Sequence, residues 1–112
     1  MKKLEDLMWL NRILILSFKD DEDSNVHSIN KFKKKEILNL NERNIKVLPF
    51  KRSKNKNFET PTFIKNKTGF WIVGYDGLVK DYSKDSTILT RIFDLIDSMP
   101  LRALDSSINQ KL

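Results

Sequence analysis

The stretch GFWIVGYDGLVKDYSKDSTILTRIFDLIDSMPLR, residues 69–102, constrains the fold more tightly than any other part of the chain. Two runs of strand-forming residues, 70–74 and 78–82, flank Tyr75-Asp76-Gly77. An Asp-Gly pair supplies the positive-φ positions of a tight turn, so the segment predicts a β-hairpin. Directly after it, Asp85 or Ser86 offers an N-cap to a helix carrying Ile88, Leu89, Ile92, Phe93, Ile96 and Met99 at spacings of three and four. That spacing draws one apolar stripe along a helix, and Pro100, with no N–H to donate, stops it.

Upstream, residues 3–10 (KLEDLMWL) predict a short lead-in helix with Leu4, Leu7 and Met8 on one side. Asn11 and Arg12 then introduce Ile13-Leu14-Ile15-Leu16-Ser17-Phe18. A near-continuous apolar run bounded by charge reads as a strand buried on both faces, hence central, with a parallel neighbour. The acidic loop Lys19-Asp20-Asp21-Glu22-Asp23 comes next, and Ser24 is a suitable N-cap for one helix over about residues 25–40. On it Val26, Ile29, Ile37 and Leu40 fall within an arc of roughly 80° and form the expected core stripe. Asn30 and Lys33 share that arc, whereas Phe32 and Leu38 lie outside it. Residues 45–50 (IKVLPF) alternate as a second strand, ended by Pro49. Residues 51–68 are irregular, with a turn of helix or an extended piece expected over 58–64. The tail from residue 104 to 112 is polar and expected to fray.

The order is therefore α/β and thioredoxin-like, β-α-β-β-β-α with a short N-terminal lead-in helix, in a single domain whose core spans about residues 4–103. Another α/β sandwich is the alternative, because element order alone does not fix strand arrangement.

Three segments together resemble one family: Trp9-x-Asn11-Arg12-Ile-Leu-Ile, Glu42-Arg43-Asn44-Ile45, and Gly74-x-Asp76-Gly77-x-Val79-Lys80 followed by Phe93-Asp-Leu-Ile-Asp97-Ser-Met-Pro-Leu-Arg102. They resemble the bacterial thioredoxin-like domain of unknown function catalogued as family 4174, which is also similar to the P-DUDES repeats of vertebrate matrix proteins. The resemblance implies a fold and no established activity. Thioredoxin-type and peroxiredoxin-type chemistry needs an activated thiolate. The 112 residues include no cysteine, so none can form here.

The absence of cysteine fits a reducing compartment. Met1-Lys2-Lys3 resembles the start of a signal peptide, but Glu5 and Asp6 place charge directly behind it, and no apolar run of about 7–15 residues appears. Nor is there the run of about 20 that a membrane span requires. A cytoplasmic location, without a membrane partner, is expected. The net charge of +6 is uneven: residues 31–67 hold twelve Lys or Arg and three Asp or Glu, and the remainder nine and twelve. Sixteen Lys, ten Asn and eleven Ile make up a third of the chain, the composition of AT-rich coding, and that bias accounts for most of the excess.

Each candidate site has a plain structural counterpart. The carboxylates of residues 20–23 could suit a hard cation. They lack calcium-loop spacing, however, and acidic residues ahead of a helix are accounted for by its positive N-terminal end. No metal site is assigned. His27, the one histidine, has no partner specified by spacing and reads as a solvated helix residue; no catalytic residue and no cofactor are assigned, and no enzyme activity is expected. The basic positions Lys51, Arg52, Lys54, Lys56, Lys65 and Lys67 could contact nucleic acid or another polyanion through residues 51–67, with Phe58 stacking on a base. Phe70, Trp71 and Tyr82 are expected to pack the sheet and Trp9 to cover the core; left exposed, Trp9 or Tyr82 would mark an interface. The leading expectation is a non-catalytic module for binding a protein partner, the alternative a basic accessory protein for nucleic acid.

Overall fold

The computed structural model describes residues 3–51, 59–64 and 67–105. Strands β1 (Arg12–Phe18), β2 (Ile45–Lys51), β3 (Gly69–Val73) and β4 (Val79–Ser83) form one sheet in the order β2-β1-β3-β4. β1 runs parallel to β2, Arg12 opposite Ile45 and Phe18 opposite Lys51, and antiparallel to β3, Ile13 opposite Val73. β3 and β4 are antiparallel, with a slip in register between Ile72 and Val73. The α/β arrangement fits the thioredoxin-like expectation, and β1 is central and buried along its whole length, as its apolar run requires.

Strand alternation divides the core between the two faces. On one face Leu14, Leu16, Phe70 and Ile72 pack against Ile29, Leu40, Ile88, Ile92 and Ile96 of the helical segments. On the other, Ile13, Ile15, Trp71 and Val73 meet Leu48, Phe50 and Ile64, covered by Leu4 and Leu7 of a 3-10 helix (Leu4–Leu7) and by Phe63. The helices α1 (Ser24–Lys35), α2 (Ile37–Glu42) and α3 (Ile92–Asp97) thus share one face, and the second is closed by short pieces. Residues 62–64 form a turn that buries Ile64, whose N–H donates to the Pro61 carbonyl.

Three local expectations are corrected. One helix over 25–40 is two, α1 and α2, broken at Glu36 with φ −112° and ψ 23°. Leu40 enters the core, whereas Ile37, expected on the same stripe, is half exposed. Phe32, outside the expected arc, instead stacks on Phe93 with ring centroids 5.7 Å apart. Asp23, not Ser24, is the N-cap: its carboxylate accepts the N–H of Asn25 at 2.9 Å. Pro49 does not end β2 but sits within it, tolerated because β2 is an edge strand.

Ile88, Ile92 and Ile96 of the C-terminal stripe are buried and Leu89, Phe93 and Met99 partly so, but the backbone is segmented into a 3-10 helix (Ser86–Thr90), α3 and a second 3-10 helix (Pro100–Leu104). Asp85 caps the first by accepting the N–H of Thr87. Pro100 ends the α-helical part and opens the last piece, where the fixed φ of proline suits a first position. Among the described residues no helix is long and apolar enough to cross a membrane.

Candidate interaction surface

Arg12 opens β1, and alternation places its side chain on the helix-bearing face with Leu14 and Leu16. It is 1% exposed. A buried guanidinium needs a counter-ion, and Asp105, equally buried, supplies it: Arg12 Nη1 donates to Asp105 Oδ1 at 2.7 Å and to the Arg43 carbonyl at 2.9 Å. The guanidinium also lies 4.3 Å from the ring centroid of Tyr75, whose hydroxyl donates to the same Asp105 oxygen. Asn44, in the left-handed region at φ 52°, donates from Nδ2 to the Tyr75 hydroxyl at 3.0 Å and to the Asp105 carbonyl at 3.4 Å. Burial, reinforced by the bond to Asp105, pushes the Tyr75 phenol up to about 12. Arg12 Nη2 is the buried side-chain donor left without an acceptor among the described residues. The expectation of a frayed tail therefore fails at Asp105, which is a core residue because Arg12 requires it; residues 106–112 lie outside the described part.

A second ring of charge surrounds the first. Arg43 grips Asp97 with Nε and Nη2, each at 2.9 Å, a two-pronged pairing that the planar guanidinium favours. Arg102 reaches the same carboxylate at 3.0 Å, Glu42 at 3.2 Å and Asp105 at 2.7 Å. The Arg43 bond, with Arg102 behind it, holds the Asp97 carboxyl down at about 2. Across a cleft of about 450 Å³ whose walls include Tyr75, Leu95, Met99 and Pro100, Lys80 pairs with Asp76 at 2.8 Å and lowers that carboxyl too. Parts of the segments 9–15, 42–45, 74–80 and 93–102, far apart in the chain, meet at this one end of the sheet.

The network fixes what stands above it. Tyr75 begins the turn between β3 and β4, and its carbonyl accepts the Trp9 N–H at 2.9 Å. Asp76 Oδ1 accepts the Leu78 N–H, and Gly77 closes the turn at φ 78°. A Cβ at Gly77 would stand 3.2 Å from Met8 Sδ, so the glycine also lets the lead-in segment lie against the hairpin. The outcome is an apolar surface at the hairpin end: Trp9 and Leu10 are each 52% exposed and Leu78 61%, with Val79 exposed beside them. Tyr82 extends it along β4, its ring 4.8 Å from that of Trp71 and its hydroxyl donating to the Thr68 carbonyl at 3.0 Å. Trp9 itself has φ 66°, a left-handed conformation rare for a bulky side chain.

The model of a family described as a domain of unknown function, DUF4174, matches residues 3–105. The chain belongs to the DUF4174 family. No curated protein and no solved structure matches it.

Elsewhere on the DUF4174 domain the other candidates are scattered. Lys51 ends β2 and its ammonium pairs with Asp21 at 2.8 Å, bringing the acidic loop and the basic strand end together. Lys67 is exposed, and its carbonyl accepts the Ser17 hydroxyl at 2.9 Å. Arg52, Lys54, Lys56, Phe58 and Lys65 lie outside the described residues. In the acidic loop Asp20 accepts the Glu22 N–H and Asp23 caps α1. His27 is exposed on α1. Trp71 and Phe70 pack the sheet as expected, and Trp9 is not a cover for the core.

Sequence reasoning alone misses the Arg12, Asn44, Tyr75 and Asp105 set. A charged residue opening an otherwise apolar strand is the available signal for Arg12; nothing in a polar tail marks Asp105 as its partner.

Proposed function

We propose that this DUF4174 domain is a non-catalytic protein-interaction module that engages its partner through the hairpin end: Trp9, Leu10, Leu78 and Val79, continued along β4 by Tyr82. The observation that carries this reading is Trp9, held at φ 66° while half its surface faces water. A non-glycine residue in that region costs about 1–2 kcal/mol. An exposed indole recovers little of that through burial, so the conformation is kept for what the indole presents. Exposed tryptophan and tyrosine on a rigid base are the side chains that supply most binding energy in protein interfaces. The base is rigid because Tyr75, beneath the turn, is tied to Arg12, Asn44 and Asp105. Thiol chemistry is closed to a chain without cysteine.

The test is affinity capture from source-cell lysate, with and without nuclease, using the native chain and a Trp9→Ser/Leu78→Ser variant. A discrete protein that survives nuclease and high salt, and is lost with the variant, supports the reading. Recovery of nucleic acid, or of proteins that vanish with nuclease, overturns it in favour of a polyanion partner at the basic positions.

A further inference from the structure

Ile37 and Leu38 open α2, one residue beyond the end of α1, and are 48% and 80% exposed. The last turn of α1 and the one before it present Lys31, Lys33, Lys34 and Lys35, all exposed, and none forms an ion pair with a described residue. Asn30, Lys33, Lys34 and Ile37, at positions i, i+3, i+4 and i+7, line one open groove of about 570 Å³. Glu36 is the one acid in the run 30–38, and its carboxylate is occupied by Asn39 at 2.7 Å. Basic residues in a last turn complement the helix dipole, which explains lysines there. It does not explain two exposed aliphatic side chains beside them.

We propose that the α1–α2 corner is a docking site for an acidic peptide segment bearing one aliphatic anchor. The anchor packs in the groove against Ile37, and carboxylates on either side of it meet Lys33 and Lys34, with Leu38, Lys31 and Lys35 exposed around the same corner. Charge complementarity sets the sign of the partner, and the apolar pair sets its composition. Nucleic acid fits less well: phosphates have no use for the aliphatics, and the one aromatic of the run, Phe32, is stacked on Phe93 instead of free to receive a base. A bilayer fits less well too, because two aliphatic side chains offer fewer carbons than a single myristoyl chain, which alone anchors only marginally. The site is separate from the hairpin end, so either surface can fail without the other.

The experiment presents the whole protein to an immobilised array of peptides in which acidic content and the position of one leucine are varied. Affinities for the best binder, fluorescein-labelled, are then measured by anisotropy. The expected winners are acidic with a leucine inside the acidic run, and their binding weakens as salt rises. Lys33→Glu/Lys34→Glu abolishes the signal, and Ile37→Ser weakens it about tenfold, the worth of one buried aliphatic side chain. Ile37 is half exposed, and an unchanged melting curve shows that the variant still folds. An array without acidic winners, full binding by the Ile37→Ser variant, or tighter binding to phosphatidylserine vesicles or to a single-stranded oligonucleotide overturns the proposal.

Discussion

Arg12, Arg43 and Arg102, gathered at the start of β1, are tied into Asp97, Asp105 and Glu42, whereas the four lysines closing α1, an equally dense group of charge, have no ionic partner among the described residues. The difference reflects the chemistry of the two cations. A guanidinium is planar and forked and can match two carboxylate oxygens, as Arg43 does on Asp97; an ammonium on a flexible stem stays hydrated. The arginines therefore take part in folding and the lysines do not. Composition bias explains how many lysines there are, but placement beside exposed aliphatics distinguishes the corner from an ordinary solvated face.

The sharpest way to break this contrast is Asp105→Ala, which leaves Arg12 buried without a counter-ion. Losing one partner of a buried pair costs about 3–5 kcal/mol, a large part of the stability of a domain this size. Urea denaturation reads it directly, and a loss under about 1 kcal/mol would show that the network is decoration. Tyr75→Phe removes one hydroxyl shared by Asp105 and Asn44 and is expected to cost about 1–3 kcal/mol. It also has a pH signature. With the folded phenol raised to about 12 from an ordinary 10, its contribution is complete below pH 10 and is lost as pH climbs towards 12. The alkaline fall in melting temperature should therefore shrink in Tyr75→Phe.

A smaller effect tests the outer ring at the acid end. Asp97, held at about 2 against an ordinary 3.8, stabilises the fold above pH 4, and that contribution disappears as pH falls towards 2. Its side chain is partly exposed, so solvent screening keeps the whole effect to about 1 kcal/mol or less. Asp97→Asn should flatten the acid limb of the stability curve by that amount. The smallest effect belongs to the other region: Lys33→Gln/Lys34→Gln should move stability by no more than about 0.5 kcal/mol. A larger drop in its thermal melt would mean the corner is structural and the contrast false.

The elements were legible in the sequence wherever one local rule decided them. The Asp76-Gly77 turn, the apolar run of β1 and the Ile88, Ile92, Ile96 stripe each rest on a few adjacent residues and a single periodicity. The break at Glu36 was not legible, since the 3.6-residue pattern continues through it and only packing against the sheet decides whether Ile37 or Leu40 goes inside. At the candidate surface, Trp9 and Tyr82 could be named as possible contacts, but their exposure depended on where the lead-in segment lies against the hairpin. The buried pair was least legible of all, because Arg12 and Asp105 stand at opposite ends of the described chain and each looks ordinary among its neighbours.

That separation has a consequence for how the protein is made. Arg12 emerges from the ribosome early, and the rest of β1, β2, the hairpin and α3 all leave the ribosome after it and before its counter-ion does. Until Asp105 arrives, closing the sheet over Arg12 would seal in a lone cation, which is unfavourable enough to hold the nascent domain open. The pair thus makes completion of the fold wait for the last residue of the matched region, and a chain released short of it would be marked as unfinished by its own instability.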